Sequence, residues 1–454
     1  MAPLNSVFDG FDTATKLAKK MFAKAIETFK QDQGKMVGIL DANQVQDQLD
    51  DYYTVIDIPN VTDIYRESGW PIILGKDLKE KINTIEFLQG VNNVEEPLSV
   101  KQARNIGEEM FCLDNKIAVS VVGSFNRGKT YLVNLLTGMR LPAEKKITTK
   151  GLSIAIPLDK TVAQSLYVID TQGSSAPLSK NAIDTALASL QKESPFVYHT
   201  PDPDAIPNIE FTGADRMKKE RAREYGEFYN KAKERAIVEK LATEQLISDI
   251  ILRLSEVLIV VVNEMTWNDQ QFIEYLAKQL AFDNSLKFRL IVIHNYKDTS
   301  SCEEFIELRN KFVTSCISGC LELKTVVGQK EPVEIFVTYS APEILHGFLA
   351  KDGSHLGKVM NPLTIQWIQQ VCNSTQRVGP AEFVPKLISY STKSLRNQVN
   401  VAGDIHLHYY PSDKKFVLKA VSNDFEDSIG RQTFQASPFV PQHFPVVILL
   451  FKYF

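Results

Sequence analysis

The sequence predicts an α/β fold in the central part of the chain, with a mostly parallel sheet covered by helices. Two observations lead to this prediction. From Lys116 onward, short apolar runs alternate with segments of helical spacing, as parallel strands joined by crossover helices require. The first of these runs, 117–122, is followed by a glycine-containing loop and then by an amphipathic segment. We therefore predict one α/β domain over residues 114–378.

The elements of this domain are predicted from the spacing of apolar residues. The predicted strands are 117–122, 151–158, 165–169, 257–262, 290–293, 333–338 and 344–349. The predicted helices are 129–136, 216–254, 270–280 and 362–371. Residues 174–235 form a long insertion, and its second half is dense in charges of both signs, as in a solvated helix.

Regions of different pattern flank this domain. Residues 1–113 are predicted to be a helix-rich N-terminal region, because apolar residues recur at four-residue steps among lysines over 12–32. A basic amphipathic helix of this kind packs on a neighbouring helix or lies on a membrane surface, and the sequence leaves both readings open. Residues 379–454 are predicted to be a small β-rich region, with strands at 405–409 and 416–421.

Composition and charge exclude several classes of protein. The chain has 454 residues, 44% hydrophobic and 23% charged, which is typical of globular proteins. Its net charge of -4 gives no overall attraction for nucleic acid, so none is predicted as a partner. With five cysteines, we expect free thiols in a reducing compartment. No secretory signal or bilayer-spanning apolar run is visible, so a cytoplasmic location is expected.

The loop Gly123–Thr130 reads Gly-Ser-Phe-Asn-Arg-Gly-Lys-Thr and matches the phosphate-binding pattern G-x-x-x-x-G-K-S/T. Glycines let such a loop wrap the phosphates, with its N–H groups and the following helix N-terminus directed at the anion. Lys129 is predicted to reach the β- and γ-phosphates, and the Thr130 hydroxyl to bind Mg²⁺. The predicted nucleotide-binding residues of the loop are Gly123, Ser124, Asn126, Arg127, Gly128, Lys129 and Thr130.

Two further segments are predicted to complete a nucleotide and metal site. Asp170 ends a strand and opens the pattern D-x-x-G, so its carboxylate is expected to hold Mg²⁺ through water. The N–H group of Gly173, at the end of this pattern, is expected to contact the γ-phosphate. Between the two segments, the run Thr-Thr-Lys-Gly at 148–151 stands where a switch segment must supply a threonine to the metal.

The base is predicted to be guanine. Asp298 follows a strand, and an aspartate in this loop accepts hydrogen bonds from guanine N1 and N2. Adenine does not have this pair of donors. Asn295 is expected to brace the loops, and Tyr296 stands where the usual N-K-x-D pattern has the lysine that covers the base. A last loop on the base side is either 339–341 or 349–352, and the sequence does not separate the two.

The motifs together resemble the GTPase domains of the guanylate-binding protein, atlastin and root-hair-defective families, which are large GTPases of the dynamin superfamily. The resemblance rests on GSFNRGKTYLVNLLTG, TTKG, DTQG and EQLISDIILRLSEVLIVVVNEMTWNDQ, and it covers roughly 114–371. It implies GTP and Mg²⁺ as ligands, Thr149 as the switch threonine that binds Mg²⁺ and acts in catalysis, and pairing of two domains across their nucleotide faces.

Departures from the family pattern bear on turnover. Guanylate-binding proteins and atlastins have a catalytic arginine where this chain has Asn126, and Arg127 follows one place later. An arginine finger contributes roughly 10³ to 10⁵ in rate, so turnover is expected to be slow unless Arg127 or a partner supplies the guanidinium. These families also have D-x-E-G where Gln172 stands, and an R-D pair where this chain has Asn-Tyr-Lys-Asp. No glutamine follows Gly173, since Ser174 is there.

The sequence thus predicts a Mg²⁺-dependent GTPase that acts as a switch or a nucleotide-gated dimer, with Lys129, Arg127, Thr149 and Gly173 as catalytic residues. Two alternatives stay open: a GTP-binding scaffold with little or no turnover, and an ATP-using enzyme with the same loop. The related families append helical stalks that act on membranes, whereas the residues after 378 read as strands. Membrane fusion or fission is therefore not expected, unless the chain is a truncated form.

Overall fold

The computed structural model describes residues 52–65, 69–72, 99, 101, 104, 113, 115–124, 126–139, 141, 151–171, 178, 180–193, 213–284, 286–315, 320–327, 332–339, 342–377, 383–398, 404–410 and 415–421. The predicted helix at 12–32 and the predicted site residues Thr149 and Gly173 lie outside these ranges.

The strands of the described residues form a single sheet. They are β1 (Tyr52–Ile56), β2 (Trp70–Ile72), β3 (Ile117–Val122), β4 (Leu152–Ala155), β5 (Leu166–Thr171), β6 (Val257–Val262), β7 (Arg289–Tyr296), β8 (Cys320–Val327), β9 (Pro332–Tyr339), β10 (Ile344–Ala350), β11 (Asp404–Tyr410) and β12 (Lys415–Val421). Their spatial order is β11-β12-β2-β1-β4-β5-β3-β6-β7-β10-β9-β8.

Helices connect and cover these strands. They are α1 (Lys129–Thr137), α2 (Lys160–Ser165), α3 (Lys180–Glu193), α4 (Gly213–Leu254), α5 (Trp267–Phe282), α6 (Cys302–Ser315), α7 (His355–Ser374) and α8 (Phe383–Gln398), with a 3₁₀ helix at Val61–Tyr65. Within the described residues, none of them combines the length and the apolar character that crossing a bilayer requires.

The centre of the sheet is parallel. β3 pairs in parallel with β5 and with β6, β6 pairs with β7, and β7 pairs with β10. β4 lies antiparallel to β5, and β9 lies antiparallel to both β10 and β8. The predicted α/β domain with a mostly parallel sheet covered by helices is thus confirmed. Because parallel strands end at the same edge, the loops that follow β3, β5, β6, β7 and β10 share one side of the molecule.

Helices bury both faces of this sheet, which explains why its central strands are apolar without alternation. In β6, Val257, Ile259 and Val261 pack into one cluster with residues of α1 and α7. The alternate residues of the same strand pack into a second cluster with residues of α4, α5 and α8. A strand between two helical layers has no solvent face, so every side chain of β6 is buried.

The insertion contains two helices that pack against each other. The predicted charge-dense helix is confirmed as part of α4, which runs from Gly213 to Leu254. α3 packs against it, and Ala186 and Leu187 of α3 form a small cluster with Ala232 and Ala236 of α4. These small side chains let the two helices approach closely. The apolar end of α4 then packs on the sheet through Leu246, Ile250 and other residues.

Both flanking regions extend the central sheet. Of the region 1–113, the described residues include β1, which pairs with β4, and β2, which pairs with β1. In the C-terminal region, β11 and β12 occur where strands are predicted, and β12 pairs with β2. Strands from both ends of the chain therefore continue the sheet of the central domain at one edge.

The predicted small β-rich C-terminal region also contains a helix that is not predicted from the sequence, α8 at Phe383–Gln398. Phe383, Val384, Leu387 and Leu395 are buried in the cluster that α4 and the sheet also build. Their spacing is helical rather than alternating, so this segment covers the sheet instead of extending it. α6 and β8 are also absent from the predicted elements, whereas the last helix of the domain begins at His355, ahead of its predicted start.

Candidate functional site

The backbone of the predicted phosphate loop adopts conformations that favour glycine. Gly123, directly after β3, has φ +144°, and a Cβ there would lie 2.5 Å from the carbonyl oxygen of Val261 in β6. Gly128 has φ +88°, and a Cβ there would lie 2.1 Å from Nδ2 of Asn295. Asn126, between them, has φ 64°. A side chain at either glycine would be strained and would collide with a neighbouring strand, so the sequence pattern has a steric cause.

The helix after this loop begins without a side-chain cap. Gly128 is the N-cap residue of α1, and the described residues show no side-chain capping hydrogen bond there. The backbone N–H groups at a helix start have no partner within the helix. These donors and the positive end of the helix dipole together form a site suited to an anion. Thr130 follows in the first turn, where its side chain is half-buried.

The ammonium group of Lys129 lies inside the loop. Its Nζ donates to the carbonyl oxygens of Gly123, at 3.1 Å, and Ser124, at 3.0 Å. Burial lowers the pKa of Lys129, while the negative charge of Asp170 raises it. The loop thus holds a positive charge beside its own N–H donors, and a phosphate in the loop would meet both.

Asp170 comes from the neighbouring strand β5, where it is paired with Val121 of β3. The carboxylate is buried, and its Oδ1 accepts a hydrogen bond from the N–H group of Thr171 at 3.0 Å. Asp170 and Thr130 offer oxygen atoms, the ligands that Mg²⁺ prefers. The described residues contain no group of three His, Cys, Asp or Glu that could hold a metal. A Mg²⁺ ion here would therefore depend on the hydroxyl, the carboxylate and phosphate oxygens.

On the base side, Asn295 connects β7 to the phosphate loop. Its Nδ2 donates to the carbonyl oxygen of Arg127 at 3.0 Å, and the side chain is buried. Asn295 thus joins the end of β7 to the loop that precedes α1. The contact also explains the tight packing above Gly128, since the amide of Asn295 fills the space that a Cβ would need.

Asp298 is exposed in the turn that follows β7. This turn is closed by a hydrogen bond from the N–H group of Thr299 to the carbonyl oxygen of Tyr296, at 2.9 Å. The N–H group of Lys351 donates to the carbonyl oxygen of Thr299, also at 2.9 Å, and so joins the loop after β10 to the Asp298 turn.

The strand directions separate the two predicted base-side loops. β10 is parallel to β7, and Ala350 lies opposite Tyr296, so residues 349–352 reach the edge where Asp298 lies. β9 is antiparallel to β10, so Tyr339 ends at the other edge of the sheet. Of the two predicted base-side loops, 349–352 therefore lies at the same edge of the sheet as Asp298.

Tyr296 does not lie on the surface where a base would be covered. Its ring is buried and packs at 5.8 Å from Phe305 and 6.0 Å from Phe348, between ring centroids. Burial raises the pKa of its hydroxyl, so the ring remains neutral. The next residue, Lys297, is exposed. Tyr296 is therefore a core residue in a position where the usual pattern has a surface lysine.

Arg127 has a partner that is absent from the predicted site residues. Its Nη2 lies 3.6 Å from Oδ2 of Asp269, in the first turn of α5. Asp269 is buried and forms a capping box with Thr266, whose N–H group and hydroxyl both donate to Oδ2, at 2.9 and 2.7 Å. The sequence signal was an N-cap threonine followed three residues later by an aspartate. It indicates a helix start but not an arginine partner.

A second unpredicted contact ties the helix of the loop to α7. Nδ2 of Asn361 donates to the hydroxyl of Tyr131 at 2.8 Å and to the carbonyl oxygen of Ala350 at 3.1 Å. Oδ1 of Asn361 accepts a hydrogen bond from the N–H group of Ala350 at 2.9 Å. A buried amide thus joins α1, the end of β10 and α7.

No protein-family model matches the chain. The chain is 26% identical over 381 residues to a heat shock protein of Dictyostelium discoideum, and the match covers 81% of this chain and 47% of that protein. The chain thus spans about half the length of this relative. The name of the relative specifies no ligand and no reaction.

Proposed function

We propose that the chain binds GTP with Mg²⁺ at the loop Gly123–Thr130 and hydrolyses it to GDP and phosphate. The observation that carries this proposal is the conformation of the loop. Its backbone has positive φ at Asn126 and Gly128, and it leads into a helix without a side-chain cap. The ammonium of Lys129 lies against the carbonyl oxygens of the same loop. Loops of this kind bind the phosphates of nucleotides.

The arrangement of the strand ends supports a whole nucleotide rather than phosphate alone. Gly123, Asp170 and Asp298 follow or end the parallel strands β3, β5 and β7, so they share one edge of the sheet. Asn295 and the hydrogen bond from Lys351 to Thr299 join the phosphate end to the base end. Ligands bind at this edge in open α/β sheets.

In this proposal each residue has a separate task. Lys129 and the loop N–H groups bind the β- and γ-phosphates and stabilise the charge that develops during transfer to water. Thr130, Thr149 and Asp170 hold Mg²⁺, which supplies further charge neutralisation on the phosphate oxygens. Gly173 contacts the γ-phosphate, and Asp298 accepts the N1 and N2 protons of guanine. Arg127 supplies the guanidinium that related enzymes place one residue earlier.

The proposal is tested by GTP consumption with purified protein beside a Lys129→Ala variant. We expect phosphate release to require Mg²⁺ and to fall at least a hundredfold in the variant, because phosphate binding and charge stabilisation are both lost. Equal release from the two proteins would reject the hydrolase. An ATP-using enzyme would bind ATP in competition with GTP. In a GTP-specific protein, Asp298→Asn should remove the preference for GTP over ATP and leave phosphate binding intact.

A second candidate function is a GTP-binding scaffold without turnover. It is favoured by Asn126 at the position of the family arginine and by the ion pair that engages Arg127. In this case nucleotide would order the switch loops for a partner. Recovery of intact GTP after long incubation with stoichiometric protein would support the scaffold, whereas accumulation of GDP would reject it.

We also propose that the chain is a member of the large GTPases and pairs with a second copy across its nucleotide face. This proposal rests on the sequence resemblance, and the strand ends described above give the face concerned. The mass in solution, measured with GDP and with a non-hydrolysable GTP analogue, tests it. A doubled mass with the analogue alone would support nucleotide-gated pairing, and an unchanged mass would reject it.

A further inference from the structure

We propose that Asp269 is the positioning residue for Arg127, and that it holds the guanidinium at the phosphate loop with its N–H donors available to the terminal phosphate of the nucleotide. The inference rests on the proposed function. It concerns a residue that lies outside the loop, at the start of the helix that follows β6.

The carboxylate of Asp269 is fixed in place. It lies in the first turn of α5, it is buried, and its Oδ2 accepts two hydrogen bonds from Thr266. The N–H group of Asp269 donates back to the Thr266 hydroxyl at 3.3 Å. A carboxylate held by this reciprocal pair cannot turn toward a ligand, so it acts as a fixed negative charge beside the loop.

The main chain of Arg127 is also fixed. Nδ2 of Asn295 donates to its carbonyl oxygen at 3.0 Å, and its two neighbours, Asn126 and Gly128, both have positive φ. The residue can therefore change its contacts only by rotating its long side chain. A fixed charge that attracts the guanidinium reduces that freedom before the ligand arrives.

The guanidinium makes no direct hydrogen bond to the carboxylate of Asp269. Its separation of 3.6 Å from Oδ2 exceeds the 2.7 to 2.9 Å or so of a direct charge-assisted hydrogen bond. Within the described residues, the guanidinium makes this ion pair and no hydrogen bond. The side chain is also a quarter exposed. A guanidinium held by charge, whose N–H groups make no hydrogen bond to the described residues, suits recognition of a phosphate that arrives from solution.

Because the effect passes through Arg127 to the terminal phosphate, it should appear as discrimination between GTP and GDP. The experiment measures dissociation constants for GDP and for GTPγS, both with Mg²⁺, in the full chain. The proteins compared are the unmodified chain, Arg127→Ala, Asp269→Asn and the double variant. Each single change should lower the preference for the triphosphate by about tenfold, the size of one charge-assisted contact. The double variant should lose no more than either single variant.

Asp159→Ala is the matched control. It removes a carboxylate that accepts the N–H groups of Thr161 and Val162 at the start of α2, a helix that precedes β5 and so lies at the sheet edge away from the loop. We expect a lower melting temperature and an unchanged preference for the triphosphate. If Asp269→Asn does not fold, Asp269→Ser is used, because its hydroxyl can serve the helix start without a charge.

Three results would overturn the inference: an unchanged preference in Asp269→Asn while Arg127→Ala loses it, losses that multiply in the double variant, or a stronger preference in Asp269→Asn. The last result would mean that the carboxylate restrains the arginine instead of presenting it. Failure of the proposed function is distinguishable, since the unmodified chain would then bind neither nucleotide.

Discussion

The side-chain amide of Asn295 donates a hydrogen bond to the main-chain carbonyl of Arg127 at 3.0 Å, and so fixes the phosphate loop to the end of β7. The contact joins a residue near the end of β7 to the loop that precedes α1. Asn295 is buried, and its Oδ1 has no hydrogen-bond partner among the residues that the structure describes. A polar side chain placed so deeply, with one atom left without a partner, indicates that its position serves the loop rather than the stability of the sheet.

Asn295→Ala should weaken nucleotide binding more than it weakens the fold. The change leaves the Arg127 carbonyl without its donor, at a cost of about 1–3 kcal/mol. It also removes the unpaired Oδ1, which offsets part of the loss in the free protein. We expect at least a fivefold rise in the dissociation constant for GDP, measured by titration calorimetry. A variant that loses stability but keeps its affinity would contradict this role.

Gly128→Ala should abolish nucleotide binding. The Cβ would meet Nδ2 of Asn295 at 2.1 Å, and the residue would keep a left-handed conformation with φ +88°. The conformation alone costs about 1–2 kcal/mol, and the collision must move either the loop or Asn295.

Gly353→Ala is the control for the glycine prediction. Gly353 also has positive φ, +73°, but a Cβ there would have nothing within 4 Å. It should lose stability through strain alone and keep its affinity. Binding by Gly128→Ala at the level of Gly353→Ala would show that the space above Gly128 is unimportant.

Lys386→Met should strongly destabilise the protein. Lys386 in α8 forms a buried ion pair with Glu256, whose Oε2 also accepts the N–H group of Ala118 at 2.7 Å. Removal of the lysine leaves an uncompensated carboxylate in the core, which costs about 3–5 kcal/mol. Chemical denaturation measures the loss. Lys278→Ala, which breaks the exposed pair of Lys278 with Glu274, should change the free energy of unfolding by at most about 0.5 kcal/mol.

Glu256→Gln in the Lys386→Met background should restore part of the stability, because the buried charge is gone. Equal effects of Lys386→Met and Lys278→Ala would contradict the importance of the buried pair. The pair lies at the start of β6, whereas the phosphate loop follows the end of β3, so nucleotide affinity should be unaffected in the folded fraction.

The buried histidines should make the protein sensitive to mild acid. Nε2 of His294 lies 3.2 Å from Nδ1 of His346, and burial lowers the pKa of both, that of His346 to about 3. The unfolded chain binds protons at a pKa of about 6.5, so the folded state loses stability as the pH falls below that value. We expect a loss of about 2 kcal/mol per histidine between pH 7 and pH 5.

Urea denaturation at the two pH values measures this loss, and the double variant His294→Phe, His346→Leu is the control. Both replacements are apolar, and they join the aromatic side chains of Phe312 and Phe348 that already surround the pair. The variant should lose less stability than the unmodified chain over the same interval. Equal pH dependence in both proteins would show that other groups are responsible.

The central elements could be predicted because their local pattern and their environment agree. β6 is apolar at every position, and the structure buries it on both faces, so its bounds match the prediction. The loop Gly123–Thr130 was found because its glycines are required by the backbone itself, through φ and through the space that a Cβ would fill. Such requirements act on single residues, so they can be recognised in the sequence.

What could not be predicted depends on contacts between distant residues. Asp269 reads as a helix cap in the sequence, and only the packing of α5 beside the loop brings it to Arg127. The helix α8 was missed because the change of pattern after 379 suggested strands, although Leu387 and its neighbours have helical spacing. The usual N-K-x-D pattern has a surface lysine at the position of Tyr296, whereas here the surrounding aromatic rings bury the side chain.

The pairing of β12 with β2 has a consequence for how the chain is made. β2 contains Trp70, which is fully buried, and it hydrogen-bonds to a strand that begins only at Lys415. During synthesis on the ribosome, β2 can pair with β1 early, but it can pair with β12 only after almost all of the described chain has been translated. A product that stopped after α7 would leave an unpaired strand edge next to uncovered apolar side chains, a combination that promotes aggregation.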